Sequence, residues 1–165
     1  MAQKVVIMES VRGIVEYVLK SGSLDDRFMS IRRAMEGTIA HGRLQKDNEN
    51  IYENYQKEVK LQWGFVRDDI ELIIEGRTDG IIKERDIIII EEIKSTYKSL
   101  IYIEEDYNEL HWAQGKFYGY IYCKENNLAE IRIRLSYYNL NTDEVKSFEK
   151  KFKLTELEAF VSELV

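Results

Sequence analysis

Between residues 11 and 19 the apolar positions Val11, Ile14, Val15, Val18 and Leu19 recur at steps of three and four behind a serine, and the pattern stops at Ser-Gly-Ser. That spacing predicts a short amphipathic helix with Ser10 able to cap it. A second helical period covers about residues 28–46, with Phe28, Ile31, Met35, Ile39 and Leu44 on its apolar side and Arg32, Arg33, Arg43 and Lys46 on a basic face. From residue 55 the period falls to two. Val59, Leu61, Trp63 and Phe65 alternate with Lys60, Gln62 and Gly64, and Arg67-Asp68-Asp69 supplies a turn. Residues 70–82 and 86–96 read as two further strands, joined by the polar turn Lys83-Glu84-Arg85-Asp86 into an antiparallel hairpin. Asp106 and Glu109 look like a capping pair ahead of Leu110, Ala113, Phe117, Tyr120 and Ile121, so residues 107–125 read as helix despite their tyrosines. Residues 129–140 alternate Ile131, Ile133 and Leu135 with Arg132, Arg134 and Ser136, and residues 144–154 are their hairpin partner. Thr155 then caps a last helix, with Glu158 at the reciprocal position. The order helix, helix, three strands, helix, two strands, helix predicts an α/β fold, a mixed central sheet of about five strands flanked by helices.

Composition narrows the classes. A chain of 165 residues with 44% hydrophobic content can build one domain, residues 1–165, around a real core. No apolar run approaches a membrane span, and the N-terminal MAQKVVIMESVRG lacks the apolar region and small-residue cleavage site of a secretory signal. A cytoplasmic protein is expected. Cys123 is the single cysteine, which excludes a disulfide framework and any four-cysteine zinc or iron-sulfur site within the chain. With 24 Lys and Arg against 30 Asp and Glu, the formal charge of -6 has the wrong sign for holding nucleic acid by bulk electrostatics. A nucleic-acid partner would have to meet local basic patches or a metal ion.

The stretch IIIIEEIKST at residues 87–96 runs from core directly into charge. If the turn pairs Ile82 with Ile87, Asp79 lies across from Ile90 and Glu92 is its diagonal neighbour, roughly 7 to 8 Å away. Strand alternation puts Lys94 on the side of Glu92, and Glu91 and Ile93 on the other. Two close carboxylates repel unless a cation sits between them, and Mg²⁺ or Mn²⁺ would resolve the conflict. The plain alternative is a strand end reaching solvent with Lys94 paired to a glutamate.

G-R-T-D-G at residues 76–80 followed by E-I-K at 92–94 resembles the PD-(D/E)XK nuclease superfamily, with Thr78 where the motif's proline would stand. EGTIAHG at 36–42 is similar to the first motif of its RecB-like branch, and Gln114 and Tyr118 match that branch's Q-x-x-x-Y motif on one helix face. Essentially the whole chain resembles the N-terminal nuclease-like domain of some bacterial helicases of the DinG and XPD-like type. No G-x-x-x-x-G-K-[ST] phosphate loop is present, so a motor would lie beyond Val165 or in a partner.

The resemblance implies a restriction-endonuclease-like core and a metal-dependent deoxyribonuclease acting with a helicase in DNA repair or recombination. It assigns His41, Asp79, Glu92 and the carbonyl of Ile93 to Mg²⁺ or Mn²⁺, without an iron-sulfur cluster. Lys94 would hold the attacking water and stabilise charge on the scissile phosphate, and Gln114 and Tyr118 would hydrogen-bond the site or a phosphate near it. Arg43, Lys98 and Lys116, with Arg12, Arg32 and Arg33, are candidate DNA-backbone contacts. Arg77 could reach a phosphate or pair with Glu91 or Glu92. His111, Trp112 and Tyr107 are claimed by no motif and read as packing. The rival class is a non-catalytic nucleic-acid-binding or docking module of a helicase.

Overall fold

A computed structural model describes residues 3–19 and 31–165, with side chains of the second stretch from Arg33 onward. The Ser-Gly-Ser stop, Phe28 and the side chains of Ile31 and Arg32 lie outside the described residues. Strand β1 (Val5–Ser10) leads into α1 (Val11–Leu19), and α2 (Ile31–Ile51) precedes β2 (Tyr55–Arg67), β3 (Ile70–Glu84) and β4 (Ile87–Thr96). A 3-10 turn at Leu100–Tyr102 leads to α3 (Glu109–Asn126), then β5 (Glu130–Asn139), β6 (Val145–Lys153) and α4 (Leu154–Leu164). The described residues form a mixed α/β fold in which one six-stranded sheet is flanked by four helices.

Strand β3 organises the sheet. Along one edge it pairs with β2, from Ile70 to Ile82. Its other edge is shared: β1 runs parallel to Ile70 through Glu75, and β4 runs antiparallel to Gly80 through Glu84. Strand β5 then joins β4 in parallel and β6 joins β5 antiparallel. The sequence pattern missed β1 because VVIM is only four apolar residues, without alternation, and all six positions of the strand are exposed.

Helix α3 is buried over most of its circumference, from Trp112 to Cys123, and packs on β5 with α1 and α4 beside it. Such a helix shows no apolar stripe, which is why its tyrosines made it ambiguous. Its close approach needs Gly115, where a Cβ would fall 2.5 Å from the Ile133 methyl. The start of α3 is capped by Asn108, whose Oδ1 accepts from Leu110 N at 2.9 Å, rather than by Asp106. At α4 the reciprocal contact is Glu156 with the main-chain N of Lys153 at 3.3 Å, not Thr155 with Glu158. Ser10 does cap α1, accepting from Gly13 N at 2.8 Å.

Helix α2 covers the opposite face, where Ala40 and Leu44 pack on Ile93 and Tyr138. Of its expected apolar side Leu44 is buried but Met35 and Ile39 are exposed, while Gln45 and Asn48 are buried beside Ala40. The helix lies on a part of the sheet that carries carboxylates, so amides face inward.

Candidate active site where two strands part

The β3–β4 hairpin turns on Arg85 and Asp86 alone, with Arg85 at φ 51°, so Glu84 pairs with Ile87 and Ile82 with Ile89. The pairing expected from the sequence, Ile82 with Ile87, is therefore shifted by two residues. A shift of two keeps every side chain on its face. The ladder ends at Gly80 and Glu91. One more step would set Asp79 opposite Glu92, but β4 continues instead along β5 as far as Thr96. Side chains take over from the lost ladder: Asp79 Oδ2 accepts from Ile93 N at 2.7 Å, and Thr78 Oγ1 donates to Glu91 O at 3.1 Å.

His41 reaches this gap from α2. Its Nδ1 is 2.7 Å from the Gly37 carbonyl one turn back, its Nε2 is 2.5 Å from the Ile93 carbonyl, and Nε2 lies 3.9 Å from Asp79 Oδ2. Both ring nitrogens thus face carbonyl oxygens, which only accept. An N–H suits either position, and at Nε2 a cation held between the ring and the oxygens would suit as well. An imidazole nitrogen, a carboxylate and a main-chain carbonyl form a donor set that Mg²⁺ or Mn²⁺ accepts. Among the described residues no three His, Cys or acidic side chains are gathered at metal-ligand spacing; the third donor beside His41 and Asp79 is the Ile93 backbone.

Glu92 and Lys94 face α3. The Glu92 carboxyl is buried, shares the single Thr78 hydroxyl proton with the Glu91 carbonyl, its Oε1 3.1 Å from Thr78 Oγ1, and has Lys94 Nζ 3.9 Å away. Lys94 Nζ donates to Gln114 Oε1 at 2.5 Å. Burial first, then the charge of Asp79, pushes the Glu92 carboxyl up to about 8. Asp79 is raised too, chiefly by burial and further by Glu58, against the lowering effect of the Ile93 N–H, His41 and Lys94. Two carboxyls held above their ordinary range in one gap leave room for positive charge. The Tyr118 hydroxyl, on a side chain only 6% exposed, stands over Gly76, where a Cβ would come within 2.4 Å of it. Burial raises its pKa first, with Glu92 and Asp79 adding to the rise.

The structure therefore brings His41, Asp79, Ile93, Glu92, Lys94, Gln114 and Tyr118 around one gap. It does not bring Lys116 there, because its ammonium lies 5.4 Å from the Phe152 ring centre and 5.0 Å from that of Phe160, on the β6–α4 side. Arg43 pairs with Asp143 at 3.4 Å on the outer side of α2, beside Arg33, which sits 5.4 Å over Tyr97. Together they line a hollow of about 610 Å³. Arg12 pairs with Glu16 at 2.9 Å, and Lys98 lies 4.9 Å from the Tyr107 ring centre. Arg77 is exposed, and neither Glu91 nor Glu92 forms an ion pair with it.

Sequence reasoning missed a supporting set. Gln45 Nε2 donates at 2.9 Å both to Glu58 Oε1 and to the Asp79 carbonyl, tying β2, β3 and α2 together beside the site. Glu58 takes a positive φ of 52° between the pairs Lys57–Gly80 and Val59–Thr78, directly across from Asp79. On the α2 face, Glu91 is buried and held by Asn48 Nδ2 at 2.7 Å and Ser136 Oγ at 2.9 Å. The available signal was the stripe His41, Gln45, Asn48, polar residues at helical spacing.

No protein-family model and no curated protein matches the chain. A solved structure titled "Crystal structure of SSO0001" is similar in fold, with a TM-score of 0.59 and 17% identity over 99% of this chain and 76% of that one.

Proposed function

We infer that the chain is a metal-dependent DNA nuclease domain of the PD-(D/E)XK superfamily, RecB-like branch. The observation that carries this reading is the parting of β3 and β4 at Asp79 and Glu92, which sets His41 Nε2 against the Ile93 carbonyl and Asp79 with Lys94 close by. His41, Asp79 and the Ile93 carbonyl would hold Mg²⁺ or Mn²⁺, with Glu92 as the further carboxylate. Such an ion supplies a water made acidic enough to attack a phosphodiester, and charge to offset that of the phosphate. The chain's own residues do the rest. Nδ1–H donation to Gly37 fixes the His41 tautomer with its Nε2 lone pair toward the gap. Lys94, steadied by Gln114, presents an ammonium where negative charge gathers on the phosphate. Gln114 and Tyr118 close the α3 side and limit water.

On this reading the substrate is DNA, the products carry 5′-phosphate and 3′-hydroxyl ends, and a helicase domain or partner in the cytoplasm supplies the strands. No helix among the described residues is long and apolar enough to cross a membrane. The test is cleavage of single- and double-stranded DNA with Mg²⁺ or Mn²⁺ by wild type, Asp79→Asn and Lys94→Ala. Both variants should lose at least about 100-fold in rate. Equal rates in all three would remove the site assignment, and DNA binding without any turnover would favour the docking-module class.

A further inference from the structure

Tyr107 and His111, which no motif claims, both pack on Tyr137, the strand neighbour of the candidate catalytic lysine. Lys94 on β4 is the register partner of Tyr137 on β5. The Tyr137 hydroxyl is 2.9 Å from His111 Nδ1, and the two ring centres are 5.6 Å apart. Tyr107 meets the Tyr137 ring edge to face at 5.9 Å and lies 6.5 Å from His111. Tyr137 is buried, but Tyr107 is 41% exposed. Lys98 caps this outer ring at 4.9 Å. A strip of rings and cations therefore runs from Lys94 through Tyr137 and His111 to Tyr107 and Lys98.

The strip is fixed from below. Lys146 Nζ donates to the carbonyls of Leu100 and Ile103 at 3.1 and 2.8 Å, and Asn139 Nδ2 donates to the Lys98 carbonyl at 2.9 Å. Trp112 Nε1 holds the Glu105 carbonyl at 2.7 Å, and Tyr107 N donates to the Glu104 carbonyl at 3.1 Å. The exposed ring is thus a mounted platform rather than a loose side chain. Burial chiefly, with the charges of Lys94 and Arg12 adding, holds His111 neutral with its pKa down to about 3, so this part of the strip acts as a ring and not as a cation.

We propose that Tyr107, backed by His111 and Tyr137, stacks an unpaired base of single-stranded DNA beside the reacting phosphate, with Lys98 moving from the ring face to the adjoining phosphate. This rests on the nuclease reading of the neighbouring site and names the residues that would hold the strand there. A base inside a duplex has both faces covered by its neighbours and cannot use the ring; an unpaired base can, whatever its identity. The charge balance agrees. Glu104, Glu105 and Asp106 precede Tyr107, and Lys150 meets Glu105 at 2.6 Å, so this is not a broad basic track. Stacking, with Lys94 and Lys98 as the phosphate contacts, carries the binding.

The test reads fluorescence anisotropy of labelled fifteen-residue oligothymidylate, and of its duplex with oligoadenylate, in EDTA so that nothing is cleaved. Wild type should bind the single strand about 10-fold or more tightly than the duplex, with a shallow salt slope of roughly -1.4 from two phosphate contacts. Tyr107→Ala and Tyr107→Leu should weaken single-strand binding about 10-fold while leaving duplex binding unchanged, and Tyr107→Phe should bind as wild type. Lys98→Ala should lower the salt slope by about 0.7. Tyr107→Leu binding the single strand as tightly as wild type, or a duplex bound as tightly as the strand, overturns the proposal. Because binding is read without metal, ring-dependent binding in a protein that shows no Mn²⁺-dependent cleavage keeps the shelf and removes the nuclease. Ring-independent binding beside Asp79-dependent cleavage does the reverse.

Discussion

His41 Nε2 and the carbonyl oxygen of Ile93, 52 positions apart in sequence, face each other at 2.5 Å across the gap between α2 and β4. Two lone pairs at that distance would repel, so the place between them suits an N–H or, on the nuclease reading, a divalent ion. The two compete for one place. Mn²⁺ should therefore raise the melting temperature of the wild type by mass action, and His41→Ala should need about 10-fold or more Mn²⁺ for the same rise. Differential scanning fluorimetry across a Mn²⁺ titration reads this directly, and identical titrations for the two proteins would remove His41 from the ligand set.

Glu92 gives the site a pH signature. Its carboxyl is pushed from 4.5 to about 8, so between those values the folded chain holds a proton that the unfolded chain releases. Stability must fall as pH rises through that window and level off above about 8. Each pKa unit is worth about 1.4 kcal/mol, so the loss is on the order of a few kcal/mol. Asp79 and Glu91, both raised mainly by burial, act in the same direction. Urea unfolding in EDTA at pH 5 and pH 9 should show the loss in wild type and a clearly smaller one in Glu92→Gln. An equal loss in both proteins would mean that Glu92 is ionised throughout.

Gln45 joins Glu58 to the main chain of Asp79 through one amide. Removing it leaves a part-buried carbonyl and the Glu58 carboxylate without their donor, at about 1 kcal/mol for each net hydrogen bond. Gln45→Ala should cost about 2 kcal/mol in urea unfolding and slow cleavage by letting Asp79 shift. Gln45→Glu should cost more, because it adds a third carboxylate beside Asp79 and Glu58. A Gln45→Ala protein with wild-type stability and rate would reduce the amide to a bystander.

These effects show which parts of the site could be read from residue order. Strand alternation put Asp79, Glu92 and Lys94 near one another, and a two-residue error in hairpin register does not change which face a residue takes; Gln114 and Tyr118 were picked out by the resemblance, and their four-residue spacing put them on one helix face. The position of Asp79 along the strand was not legible. It depends on a ladder that stops at Gly80–Glu91, beyond which β4 stays paired with β5 and the same edge of β3 passes to β1. Gln45 and Asn48 were hidden by the assumption that a helix buries only its apolar residues; α2 rests on Glu91 and the Asp79 main chain as well as on Ile93 and Tyr138, so its buried side mixes Gln45 and Asn48 with Ala40 and Leu44. Strand β1 escaped because pairing with β3, rather than any pattern of its own, makes it a strand.

Gly76 and Tyr118 offer a test of packing at the site that does not depend on chemistry. A Cβ on Gly76 would fall 2.4 Å from the Tyr118 hydroxyl oxygen and 2.9 Å from ring carbon Cε1, and real Cβ atoms essentially never approach other atoms so closely. The phenol cannot bend away without moving α3, which is already seated on Ile133 through Gly115. Gly76→Ala should therefore cost about 1–3 kcal/mol by overpacking. Tyr118→Phe removes the nearer atom but leaves the ring carbon, so the double variant should recover only part of that cost; Tyr118→Ala removes both, and on that background Gly76→Ala should cost close to nothing beyond its effect on the strand. A double-mutant cycle in urea isolates this coupling, expected at about 1 kcal/mol or more. Additive costs, with no coupling between the two positions, would mean that Tyr118 does not stand over Gly76 in solution, and the α3 wall of the gap would have to be redrawn.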